Sequence, residues 1–89
     1  MSKEVTEILE ERGDSYGDYG VNIEAIATIM KELNHVHKCK TGEDLNLIDH
    51  TNLQYQVIKL VRLGATPTHM DSWKDIQGYA KLAEEYYAN

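Results

Sequence analysis

Apolar side chains recur along this chain at spacings of three and four, and they nowhere alternate over more than a few residues. That pattern predicts amphipathic helices rather than strands. Val5, Ile8 and Leu9 predict a first short helix, capped by Ser2, with Glu4 and Glu7 near its positive end and Gly13 as its stop. The segment from Gly13 to Gly20 holds three glycines and two aspartates, and it reads as a loop. Asn22 is the expected cap of a second helix, whose stripe is Ile23, Ile26, Met30 and Leu33, widened by Ile29 and Val36. The run from Lys38 to Glu43 is expected to end it. Asp44 is the expected cap of a third helix, reaching Gly64, with a break expected between His50 and Asn52. Its apolar positions (Leu45, Ile48, Leu53, Val57, Ile58, Leu60, Val61) span so wide an arc that a central place is predicted. Pro67 forbids continuation, and Thr68 or Asp71 is the expected cap of a fourth helix. There Trp73, Ile76, Ala80, Ala83 and Tyr87 predict a buried stripe.

The expected fold is therefore all-α: a single domain over residues 1–89, forming a compact bundle of about four helices. A chain of this length buries only about 60–65% of its unfolded surface, and small domains of this kind gain stability by associating. A homo-oligomer is the expectation.

Charge narrows the function classes. The net charge of −6 argues against sequence-independent binding to DNA or RNA, which needs clustered cations facing phosphates. It leaves room for a small anion held by one or two local cations. The lone Cys39 cannot form an internal disulfide, the N-terminus lacks the apolar core of a signal peptide, and no apolar run is long enough for a bilayer. A cytoplasmic location without membrane association is expected. Six tyrosines, one tryptophan and no phenylalanine supply rings with polar handles. These suit half-buried walls and base stacking, and equally the rim of a thin core.

The most informative chemistry lies in the last two predicted helices. Lys59 and Arg62, three apart, share one face; Asp71 and Asp75, four apart, share another. A short turn makes these helices antiparallel neighbours, so Asp71 is expected near Arg62 and Asp75 near Lys59. One reading is an ion-pair lattice that fixes register. The other is an anion site in which the cations hold phosphate and the aspartates orient them or bind magnesium. Gly78 would let a backbone or ligand approach. A second candidate is the loop carrying Arg12, Tyr16, Asp18 and Tyr19, whose rings could stack on a base. Asp14 and Asp18 would repel an anion there, and a plain helix connection is the alternative. His35, His37 and Cys39 form a third candidate, but residues two apart on a helix diverge, which disfavours zinc. Cys39, between two lysines, has no base partner in the sequence.

Three segments carry a family resemblance: Glu11-Arg12-Gly13-Asp-Ser-Tyr16-Gly17-Asp18, then Lys59-Leu-Val-Arg62-Leu, then Asp71-Ser-Trp73-Lys-Asp75-Ile-Gln-Gly78-Tyr79-Ala80-Lys-Leu82. Together they resemble a small phage-encoded domain of unknown function, over nearly the whole chain. The resemblance implies a helical fold and a phage accessory role, but no activity. More distantly, the pairing is similar to nucleotide-modification-associated and MazG-like nucleotide pyrophosphohydrolase domains, which hold magnesium on paired acidic helices. This chain departs from that acidic pattern, since Asp71 and Asp75 have a different spacing.

Three functions follow as expectations. The preferred one is a binding protein that sequesters a nucleotide-type ligand, enclosed between subunits, without a cofactor. Its binding residues would be Arg12, Tyr16, Lys59, Arg62, Trp73 and Tyr79. The second is a magnesium-dependent pyrophosphohydrolase using Asp71 and Asp75. The third is an adaptor that blocks a host protein through a Tyr-rich patch.

Overall fold

The computed structural model describes residues 16–89. They form three helices, here α1 (Tyr19–Thr41), α2 (Leu47–Ala65) and α3 (Met70–Ala88), with no strand among the described residues. The helix expected over Ser2 to Arg12 lies outside the described residues. The middle helix packs against α1 on one side and α3 on the other, as its wide apolar arc predicts. None of the three helices is long and apolar enough to cross a membrane.

Helix starts differ from expectation at each cap. Asp18, not Asn22, caps α1, accepting a hydrogen bond from the Val21 N–H at 3.0 Å. Asn22 sits inside the first turn and is spent elsewhere. Asn46, not Asp44, caps α2 by accepting from the Asp49 N–H at 2.8 Å. Asp44 instead accepts from the Asn34 amide at 2.8 Å and pairs with Lys38 at 3.7 Å. The Asn34 side chain also accepts from the Leu45 N–H, which folds the connection back along α1. Asp44 is held below its ordinary carboxyl range, first by the Asn34 hydrogen bond and then by the Lys38 charge. His69, rather than Thr68 or Asp71, caps α3: its Nδ1 accepts from the Ser72 N–H. Ser72 is fully buried, and its hydroxyl lies 2.8 Å from the same nitrogen.

Two other expectations are corrected. The run after Lys38 continues α1 to Thr41, where Gly42 adopts a left-handed φ of 80° and returns its N–H to the Lys38 carbonyl. No break interrupts α2 at His50 to Asn52, and within it the Thr51 hydroxyl donates back to the Leu47 carbonyl at 2.7 Å.

The core is thin. Among the described residues only Met30, Val57 and Leu63 are buried apolar side chains. The predicted α3 stripe is only partly buried: Ile76 and Ala83 are half-buried, whereas Trp73, Ala80 and Tyr87 are exposed. The face that α3 turns to α2 is rotated from it, through Ser72, Asp75, Ile76 and Tyr79. Polar contacts line this seam. Lys59 Nζ meets Asp75 Oδ2 at 2.9 Å, Gln56 donates to the Ile76 carbonyl at 3.1 Å, and Tyr55 stacks on Tyr79 with ring centres 4.9 Å apart. At the far end the Tyr87 hydroxyl donates to Asp49 and accepts from Asn52. That bond to Asp49 raises the phenol above its ordinary value.

Candidate functional site

The residues before α1 build a site on the end of α2. Gly17 has φ +83°, a conformation that L side chains rarely adopt, and a Cβ there would meet the Ala65 Cβ at 3.0 Å. Glycine is therefore required twice over, once for the backbone and once for the close approach to α2. Asn22 donates its amide to the Tyr16 carbonyl and ties the turn down from the α1 side. Asp18 then caps the helix. The result is a fixed Tyr16, whose ring lies 4.3 Å from the Arg62 guanidinium carbon and meets the His69 ring edge-on at 5.3 Å.

Residues 16–19 and the facing positions of α1 and α2 share one cavity. It is an open concavity of about 840 Å³ lined by Tyr16, Tyr19, Ile23, Ile26, Val61 and Arg62 among others. Its lining combines aliphatic side chains, two tyrosines, the Asp18 carboxylate, which opposes an anion, and the Arg62 guanidinium, which attracts one. Tyr19 is highly exposed, so its ring faces are accessible. Arg62 has no carboxylate at ion-pair distance among the described residues. Such a lining offers a stacking surface, an apolar wall and a donor fork for an anion, the combination small-molecule sites use.

The predicted candidates do not all converge. Tyr16 and Arg62 come together here. Lys59 is committed to Asp75, and its side chain is only 13% exposed. Its hydrogen bond holds the Asp75 carboxyl below the ordinary range, with lesser help from the charges of Arg62 and His69. Asp71 is exposed and makes no ion pair with Arg62, contrary to expectation, because the Arg62 side chain turns to the Tyr16 ring. Trp73 donates its indole N–H to the Pro67 carbonyl at 2.8 Å, and Tyr79 is stacked on Tyr55, so neither lines the concavity. Gly78 has open space around a would-be Cβ and marks no close approach. Arg12 lies outside the described residues.

Sequence reasoning overlooked Gly17, the Asn22 tie and the aliphatic floor. A glycine directly after a tyrosine and before a helix cap is the one signal that points to them. The histidine–cysteine cluster resolves into a pair: His35 and Cys39, four apart, approach to 3.5 Å, with His37 on another face. No group of three His, Cys, Asp or Glu side chains placed to hold a metal occurs among the described residues.

A second concavity of about 770 Å³ lies between the start of α2 and the end of α3, lined by Leu45, Leu47, Ile48, Tyr86 and Tyr87 among others. The pattern of a protein family described as a domain of unknown function (DUF6378) matches residues 1–87. No curated protein and no solved structure matches the chain.

Proposed function

The chain belongs to this family of unknown function, DUF6378, and we propose that it binds a nucleotide-type ligand in the concavity under Tyr16 and holds it without chemical change. The observation that carries this reading is the Tyr16–Arg62 pair at the mouth of an aliphatic pocket. Tyr19 and Tyr16 would meet a base, Ile23, Ile26 and Val61 the sugar and base edges, and Arg62 a phosphate. In this reading the protein is a phage-type accessory factor acting as a homo-oligomer in the host cytosol, withholding a nucleotide immune signal. No metal or cofactor is invoked.

The magnesium-dependent pyrophosphohydrolase is the weaker alternative. Asp75 is engaged with Lys59, and Asp71 stands apart from the concavity. An adaptor function has one observation in its favour, the exposed group of Leu47, Ile48, Tyr86 and Tyr87 at the opposite end of α2.

The test is thermal unfolding of the wild-type chain and Arg62→Gln against nucleoside triphosphates and cyclic dinucleotides, with and without magnesium, followed by chromatography of the ligand. A ligand at about 100 times its Kd adds about 2.7 kcal/mol, which moves the midpoint by several degrees. The expected outcome is a shift that needs no magnesium, is lost in Arg62→Gln, and returns the ligand intact. Magnesium-dependent conversion to a monophosphate would establish the enzyme instead. No shift with any ligand would sink both nucleotide readings.

A further inference from the structure

We infer, on the reading that the Tyr16 concavity binds a nucleotide, that it selects one whose phosphate carries a single diester charge, as in a cyclic nucleoside monophosphate. Nucleoside di- and triphosphates are excluded, and Asp18 is the residue that excludes them. The lining holds one cation, Arg62, and one acid, Asp18, so it has no net charge. A phosphodiester brings one negative charge, which Arg62 balances. Each further phosphate brings charge that nothing in the lining neutralises, in a chain whose net charge is −6.

The other cations nearby are spent. Lys59 Nζ lies 2.9 Å from Asp75 Oδ2, and Lys59 does not line the concavity. The Arg62 charge itself acts partly on Asp75, helping to hold that carboxyl below its ordinary range. His69 also lies outside the lining and gives its Nδ1 to the Ser72 N–H and hydroxyl. The fifteen residues before Tyr16 contain two cations, Lys3 and Arg12, against five acids, so their sequence adds no net positive charge.

The start of α1 would otherwise be a natural seat for further phosphate oxygens, through its free N–H groups and its dipole. Asp18 fills that seat. Its Oδ1 accepts from the Val21 N–H at 3.0 Å, and a Cβ on Gly20 would lie 3.2 Å from the same oxygen. The chain's own carboxylate thus takes the place an anion would occupy. Its remaining lone pairs suit a neutral donor of the ligand, a sugar hydroxyl or a base N–H. Arg62 in turn suits a diester. The Tyr16 ring covers one face of its guanidinium, with 4.3 Å between ring centre and guanidinium carbon. The N–H edge is left to form a fork for the two unesterified oxygens of one phosphate.

The test is isothermal titration in EDTA of cyclic AMP, AMP, ADP and ATP, and of the corresponding guanine series, into wild type, Arg62→Gln and Asp18→Asn. EDTA removes magnesium, which masks phosphate charge. Asparagine caps helices as well as aspartate does, so Asp18→Asn is expected to keep α1, with circular dichroism as the check. For whichever base binds, wild-type affinity is expected to fall with each added charge, by about tenfold or more from cyclic monophosphate to triphosphate. Asp18→Asn should narrow that ratio several-fold, and Arg62→Gln should abolish binding of the cyclic monophosphate. Added salt gives a check on the wild type without substitution, because screening should narrow the same ratio. A triphosphate bound as tightly as the cyclic monophosphate would overturn the selection and leave the nucleotide reading standing. An unchanged ratio in folded Asp18→Asn would overturn the role of Asp18. No binding by any member of either series would sink the nucleotide reading and the selection with it.

Discussion

The two sides of α2 are joined to their neighbours by different chemistry. Toward α1 the buried side chains are aliphatic, Met30 and Val57, and the seam opens into the Tyr16 concavity. Toward α3 the seam sets beside the buried Leu63, four after Lys59 and seven after Gln56, a ladder of specific pairs: Lys59 with Asp75, Gln56 with the Ile76 carbonyl, Tyr55 on Tyr79, and Tyr87 between Asp49 and Asn52. Apolar contact supplies most of the stabilisation but little direction, so it tolerates a gap. Polar pairs supply less net stability and fix register, because a shifted helix leaves their partners unmatched. The concavity therefore falls on the seam that can spread, while the other seam holds the angle.

Three changes would break or sharpen that contrast. The largest effect is expected from Met30→Ala on the aliphatic seam. It should cost about 2–5 kcal/mol, read from denaturant unfolding, through lost transfer energy and the cavity left behind. A loss below 1 kcal/mol would mean that this seam is not the stabilising one.

Next is Gly17→Ala. Its left-handed φ and the close approach to Ala65 predict a cost of about 1–3 kcal/mol. The same variant should weaken any ligand-induced shift, because Tyr16 would lose its place over Arg62. Unchanged stability would show that the turn relaxes without strain.

The smallest effect is expected on the polar seam and is read by pH. The Asp75 carboxyl is held below its ordinary value by Lys59, so the folded state releases its proton more readily than the unfolded chain. The stability it supplies is complete above about pH 4 and is lost as pH falls through its lower folded value. Asp75→Asn should lower the unfolding midpoint at neutral pH and flatten that acid limb. A variant with an unchanged acid limb would show that the pair contributes nothing measurable. Tyr87 behaves in the opposite sense: its raised phenol supplies stability below pH 10 that is lost as pH rises through its folded value.

Much of this architecture was legible in the residues. Stripes at spacings of three and four specified the helices, Pro67 fixed the last turn, and the wide arc of α2 put it in the middle, because each depends on local backbone geometry or on how much of a helix must be covered. The Lys59–Asp75 pair was legible for the same reason, since a short turn forces antiparallel neighbours. Caps were less so: Asp18, Asn46 and His69 each lie near another residue of capping type, and only the backbone entering the helix decides between them.

Tertiary structure alone decided which apolar stripes became core. The Trp73 stripe has the periodicity of a buried face, yet α3 turns Ser72, Asp75 and Tyr79 toward α2 and leaves Trp73 outside. Periodicity states that a face is apolar, not what covers it. The same holds for Arg62, whose sequence neighbours offered Asp71 and whose place in space offered Tyr16. Its partner was set by a turn that begins with one glycine, where the close packing of Gly17 on Ala65 brings a distant ring to the end of α2.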